Sequence, residues 1–485
     1  MSAPSIPEKF AQSAARHGYA TAPVKTPRLP PGIPYIVVSE AAERFSFYGM
    51  NAILTAFMAG QVFDDQNRPL PHFGLLDSHG SPAPMSDSHA TAAYHLFVFG
   101  AYFMSFLGAI VSDSFFGKFR TVMVLSIVYC FGHMALALDS TRLGLFIGLA
   151  LIALGAGGIK PCVSSNVGDQ FGESNQHLMS RVFGWFYFAI NFGAVFSQYW
   201  IPDLLVNYGP HLAFAVPGIL MLIATVIFWS GRRKFVHLPP SGQSVLTGAF
   251  SPTGRSVVGR LAGIYVFFII YWALYYQSSS TWVLQAGRMN LRWLGHDWIP
   301  SQVQCVNSVL ILVFIPLFTY AIYPAINRFF KLTPLRKISI GFFLMVAAFL
   351  ITAWVEQQLE DRSRPNILWQ FVAYVFLTAS EIMVSITGLE FSYAQAPRKM
   401  KSFVMALFFC SVALGNLLDS AVNELNEQDG RLVFSYFNYY LFFTALMLGA
   451  SVLFIFVARN FKSQPVPQED SSTSPARGYP DPSSS

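Results

Sequence analysis

Apolar residues run along this chain in long blocks separated by short polar stretches, without the alternation that marks half-buried strands or a barrel. At about 20 mostly apolar residues per crossing, twelve blocks qualify, at approximately 34–60, 90–112, 119–139, 143–165, 181–201, 211–230, 260–285, 301–326, 335–355, 367–392, 401–421 and 432–458. The pattern predicts an all-α membrane protein with twelve transmembrane helices. After the first connecting loop, the longest polar interruption is 231–259, which divides the spans six and six. The expected organisation is an N-terminal segment (1–33), a six-helix bundle (34–230), a linker (231–259), a second six-helix bundle (260–459) and a disordered tail rich in Ser and Pro (460–485). Two bundles joined by a hinge are the shape of a transporter built from nested inverted repeats.

The distribution of charge orients these spans. Lys118 and Arg120 follow span two, Arg232, Arg233 and Lys234 follow span six, Arg328, Lys331, Arg336 and Lys337 follow span eight, and Arg398, Lys399 and Lys401 follow span ten. These loops share a side with the basic N-terminal segment. Opposite them stand Asp64, Asp65, Asp77 and Asp87, then Glu356, Glu360 and Asp361, then Glu424, Glu427 and Asp429. The positive-inside rule therefore puts both termini in the cytoplasm, with the chain in a plasma or bacterial inner membrane.

Composition agrees with a membrane protein. The 485 residues are 53% hydrophobic and 12% charged, with mean hydropathy +0.45. The formal charge of +6 lies in loops and points to the lipid bilayer rather than to nucleic acid. Cys130, Cys162, Cys305 and Cys410 fall in or beside apolar runs without CxxC spacing, so they read as buried thiols rather than a disulfide framework or metal site. The N-terminal segment has no compact apolar core followed by a cleavage site, so no cleaved signal peptide is expected. HExxH and GxSxG patterns are absent, which argues against a membrane enzyme.

Polar residues inside the spans carry the candidate chemistry. An ionisable group at bilayer depth costs several kcal/mol unless it faces a partner or a water-filled cavity. In span one, Glu40, Glu43 and Arg44 stand at i, i+3 and i+4 and are expected on one helix face. Lys160 is deep in span four, within Gly157-Gly158-Ile159-Lys160-Pro161, and a lysine there faces a cavity rather than snorkelling. Gln277 and the hydroxyls from Ser278 to Thr281 make one side of span seven a candidate cavity wall. Span ten places Glu381 and Ser385 at i and i+4. Asn191 and Asn307 fit either a binding site or interhelical hydrogen bonding. His95 in span two fits either a proton relay or a satisfied buried histidine. Between spans two and three, Asp113, Lys118 and Arg120 form a Gly-flanked loop of charge-assisted contacts.

Four runs stand in order: Glu40 to Gly49, Gly157 to Pro161 with Asp169-Gln170-Phe171, Phe186 to Gly193, and Glu381 followed by Glu390 to Pro397. Together they resemble the proton-dependent oligopeptide transporter family of the major facilitator superfamily, over spans one to eleven. The resemblance implies a major facilitator fold and import of di- and tripeptides by alternating access, with protons as coupling ion and no cofactor. It implies proton coupling through Glu40, Glu43, Arg44, His95 and Glu381. It implies a substrate site with Arg44, Tyr48, Lys160, Asn191, Asn307, Glu381 and Ser385, to which the polar wall adds Gln277. Lys160 would take the peptide carboxylate with Arg44 nearby, and Glu381 would face the peptide ammonium and exchange partners with Lys160. Two positions depart from the family pattern. Tyr276 replaces the acidic residue usual before Gln277, and Phe47 replaces a tyrosine. The rival readings are a nitrate or other organic-anion carrier on the same scaffold and a non-transporting peptide sensor.

Overall fold

A computed structural model of the chain describes residues 16–63, 68–240, 252–396, 401–428 and 430–461. The tail beyond 461, linker residues 241–251, and Asp64, Asp65, Arg398, Lys399 and Asp429 lie outside the described residues. Among the described residues, eleven helices are long and apolar enough to cross a membrane. Ile33–Ala59 completes twelve; its 27 residues also suffice to cross, but Glu40, Glu43 and Arg44 lower its apolarity. The spans are 1 (Ile33–Ala59), 2 (Asp87–Phe116), 3 (Lys118–Leu138), 4 (Arg142–Asp169), 5 (Met179–Tyr208), 6 (Pro210–Ser230), 7 (Gly254–Ala286), 8 (Pro300–Phe329), 9 (Pro334–Glu360), 10 (Leu368–Gln395), 11 (Lys401–Asn426) and 12 (Tyr436–Asn460).

Local sequence sets these boundaries. Ser86, Thr141, Thr333 and Ser435 each accept a hydrogen bond from a backbone N–H in the first turn of spans 2, 4, 9 and 12. Helix extends from span 7 back to Pro252, ahead of the expected start at 260, because Val257, Leu261 and Ile264 continue its buried stripe. Span 5 continues to Tyr208, past Pro202 and the expected end at 201.

Apolar burial separates into two main clusters, one from Ile33 to Phe235 and one from Val257 to Phe454. These are the cores of two six-helix bundles. Span 1 packs on spans 5 and 6, and span 4 on spans 2 and 3; in the second bundle span 9 packs on spans 10 and 12. The bundles meet where span 2 packs on span 11 and span 5 on span 8. Small residues permit the closest approaches within the first bundle. A Cβ on Gly108 would stand 2.5 Å from the Cα of Gly158, and one on Gly193 would stand 2.6 Å from the carbonyl oxygen of Ala41. The second contact lays span 5 directly against the charged part of span 1.

At the end of the molecule with the basic loops, the N-terminal segment crosses the first bundle. The His237 N–H donates to the Ala20 carbonyl at 2.7 Å, and the Tyr19 ring stacks on His237 with centroids 4.3 Å apart. Burial holds His237 below the usual imidazole range. Phe235 is fully buried, so the first residues after span 6 belong to the bundle's core.

Candidate functional site

Between the bundles lies a cavity of about 870 Å3, within the size range of small-molecule sites. Span 1 contributes Glu40, Arg44 and Tyr48 to its wall; span 4 contributes Lys160, span 5 Asn191, span 8 Asn307, and span 10 Glu381 and Ser385. The lining continues to Asp113, Lys118 and Tyr393 at the basic end. The chain thus brings ten of the sequence-predicted residues to one chamber, cations from the first bundle facing a carboxylate from the second.

Span 1 supplies the first charge cluster. Arg44 Nε lies 3.1 Å from Glu40 Oε1 one helical turn away and also donates to Glu43. Only Glu40 and Arg44 reach the cavity. Glu43 is buried and absent from the cavity wall, with its Oε1 lacking a hydrogen bond, because residues 43 and 44 are about 100° apart around the helix axis. The expectation of one shared face therefore holds for two of the three. Nearby, the Ser46 hydroxyl lies 2.8 Å from Nε2 of His133 in span 3, a buried histidine that sequence reasoning did not single out.

Lys160 and Glu381 are not paired with each other in this conformation. Lys160 Nζ donates to the Tyr102 hydroxyl at 2.9 Å and sits 4.1 Å from the Tyr102 ring centroid and 5.5 Å from that of Phe47. A cation over aromatic faces is stabilised without an anion, which gives Phe47 a function that needs no hydroxyl. Glu381 instead accepts from Asn307 at 2.9 Å. Immediately after it, Ile382–Ile386 forms a π-helical turn, which alters the register between Glu381 and Ser385 while both remain on the cavity. The Asn191 amide donates to its own helix at the Tyr187 carbonyl.

Two sequence-predicted residues lie elsewhere. Gln277 falls in the 3-10 turn Tyr276–Ser279, which rotates it off the cavity; its amide donates to Asp419 in span 11 at 3.3 Å. His95 is fully buried at the meeting of spans 2, 7 and 11, with Nε2 2.7 Å from Asp419 Oδ2. Asp419 and Tyr102 escaped sequence reasoning. A lone carboxylate within the apolar run of span 11 is the same signal that drew attention to Glu40, whereas Tyr102 carries no signal among 21 tyrosines.

The loop residues divide as well. Lys118 pairs with Asp169 at the end of span 4 at 2.6 Å, and Arg120 lines a small separate pocket with Tyr19 and His237. At the opposite, acidic end, hydrogen bonds close the bundles against each other. Thr55 donates to the Ser279 carbonyl, Gln304 to Ala52, Gln302 to Tyr199 and Ser420 to Ala92, at 2.9–3.2 Å.

The fold and the chamber define an integral, multi-pass membrane protein of the major facilitator type, with a charged cavity midway between its bundles. The POT family profile matches residues 119–257 and 251–440, and the chain belongs to that family. It is similar to solute carrier family 15 member 2 of Danio rerio, with 37% identity over 67% of this chain and 50% of the relative. The human solute carrier family 15 member 2 is 33% identical over 74% of this chain and 54% of the relative. The chain spans about half the length of these curated relatives. The crystal structure of the POT family transporter PepTSo superimposes with a TM-score of 0.77 at 32% identity, over 89% of this chain and 98% of that one.

Proposed function

We propose that this protein is a proton-coupled symporter that imports di- and tripeptides by alternating access. The observation that carries the reading is the separation of charge across one chamber, with Arg44 and Lys160 on the first bundle and Glu381 on the second. A short peptide is a zwitterion whose side chains vary, so a general carrier grips its two ends and leaves room between them. Lys160 and Arg44 match the carboxylate, and Glu381 matches the ammonium. The partners that Lys160 and Glu381 hold here, Tyr102 and Asn307, are neutral and readily exchanged.

Proton coupling fits the same residues. Protonation of Glu40 or Glu43 weakens its hold on Arg44 and frees the guanidinium for substrate or for the opposite conformation. The coupling ion is then the proton, taken up by side chains without a cofactor. No step in this cycle makes or breaks a covalent bond in the cargo, so the reading is of a carrier and not an enzyme. With both termini cytoplasmic, the hydrogen-bonded acidic end is external, and this conformation is the one closed to the outside.

The test is counterflow and accumulation of a labelled dipeptide in proteoliposomes, with and without an inwardly directed proton gradient. Exchange at equal pH with accumulation only under the gradient is expected. Binding without counterflow would replace the carrier with a sensor, and transport of nitrate in preference to dipeptide would replace it with an anion carrier.

A further inference from the structure

Behind the charged face of span 1 stands a second row of polar side chains that the cycle above leaves unused. Ser46 lies at i+3 from Glu43 and therefore on the same back face of the helix. Its hydroxyl meets Nε2 of His133 in span 3 at 2.8 Å, and both residues are fully buried. Tyr129, also fully buried and one turn before His133, stacks on the imidazole with ring centroids 5.0 Å apart. The Tyr129 hydroxyl in turn feels the charges of Glu43 and Arg44, so the row backs directly onto the charge cluster.

His133 is a fixed point in this row. Span 6 presents Gly218 to it, where a Cβ would stand 2.9 Å from the His133 Cβ, and a Cβ on the adjoining Gly132 would stand 2.7 Å from Ile152 of span 4. With spans 4 and 6 this close, the imidazole has no room to follow span 1, and its stack on Tyr129 sets its plane. A neutral ring suits the place. Its Nδ1 has no hydrogen-bond partner, and an imidazolium would bury a second N–H there without an acceptor. What His133 supplies is then a hydrogen bond and not a proton.

The need for such a hold follows from the chemistry of serine. A serine hydroxyl inside a helix competes for the carbonyl three or four residues back, and that bond bends the helix. Ser39 in span 1, Ser105 in span 2, Ser392 in span 10 and Ser451 in span 12 all donate in this way, to Ile36, Ala101, Gly388 and Met447. For Ser46 the corresponding acceptor is the Ala42 carbonyl, and the segment bent would be 42–46, which carries Glu43 and Arg44. Ser46 instead turns its hydroxyl across to span 3.

We propose that His133 is a positioning residue for the proton-coupling cluster: by holding the Ser46 hydroxyl away from the Ala42 carbonyl, it keeps straight the turn on which Glu43 and Arg44 meet. This rests on the transport reading above for the coupling role of Glu43. A bend at 42–46 moves Glu43 on the back face and Arg44 on the cavity side by different amounts, so their contact loosens while the walls contributed by other spans stay in place.

The test compares gradient-driven accumulation of a labelled dipeptide with its counterflow at equal pH in the same proteoliposomes, because the ratio of the two does not depend on the amount of folded protein. His133→Leu frees Ser46, and the ratio should fall about fivefold, as for the loss of one hydrogen bond. His133→Gln can hold the hydroxyl but has no titrating ring, and should keep the wild-type ratio. Adding Ser46→Ala to His133→Leu removes the hydroxyl that bends the helix, and should restore the ratio. His133→Met takes the place of His133→Leu in both proteins if the latter is not recovered folded. An unchanged ratio in His133→Leu, a His133→Gln protein as defective as His133→Leu, or a double variant that stays defective would overturn the role. A wild type without accumulation would remove the coupling reading first, and this role with it.

Discussion

The Tyr276 hydroxyl in span 7 donates to the Tyr102 hydroxyl in span 2 across 2.5 Å, and the same Tyr102 oxygen accepts from Lys160. The residue that replaces an acidic side chain of the family pattern therefore still links the bundles, through a neutral bond that ends on the chamber's lysine.

Tyr102→Phe keeps the ring beneath Lys160 but removes its hydroxyl acceptor. We expect dipeptide affinity to rise about fivefold, which corresponds to about 1 kcal/mol for the one hydrogen bond that Lys160 otherwise gives up to take the carboxylate. Tyr276→Phe should have a smaller effect alone and none when added to Tyr102→Phe, since the two substitutions remove the same contact. Competition binding across the four proteins measures this, and additive effects would separate Tyr276 from the lysine.

Glu43→Gln imitates a permanently protonated carboxyl beside Arg44. Accumulation against a gradient should be abolished while some equal-pH exchange survives. Wild-type accumulation in this variant would remove Glu43 from the coupling.

Glu381→Gln retains shape and loses a charge-assisted contact with a peptide ammonium, of roughly 1.5–3 kcal/mol. A free dipeptide should bind about tenfold or more weakly, whereas a peptide with a blocked amino group should change little. Competition by both ligands against one labelled dipeptide, at fixed pH, reads the difference. Equal losses for the two would reassign Glu381 to the conformational equilibrium.

Gly193→Val tests the approach of span 5 to span 1. Its Cβ would lie 2.6 Å from the Ala41 carbonyl oxygen and 3.0 Å from the Phe45 nitrogen. Neither backbone atom can yield without moving Arg44, so the variant should lose about 1–3 kcal/mol of stability and show a lower Tm with impaired uptake. An unchanged Tm would mean that the spans part freely here.

The spans were legible because a membrane crossing is written in contiguous apolar length, and Glu40, Arg44, Lys160 and Glu381 because a charge in such a run stands out. Side-chain direction was less legible. Gln277 shares the polar side of span 7 in a regular helix, but the 3-10 turn at Tyr276–Ser279 hands it to Asp419. Glu40, Glu43 and Arg44 were expected on one face of span 1, yet adjacent helical residues stand about 100° apart, which puts Glu43 behind the wall. Lys160 and Tyr102 meet only after folding, 58 residues apart in the chain, and no local pattern announces the pair.

The outer hydrogen bonds also bear on how this protein can change over generations. Thr55, Gln302, Gln304 and Ser420 all donate to main-chain carbonyls, of Ser279, Tyr199, Ala52 and Ala92 respectively. A carbonyl persists through any substitution that preserves its helix. The acceptor positions are therefore free to drift in sequence within steric limits, and these four hydrogen bonds can be inherited through their donors alone, without paired mutations on opposite bundles.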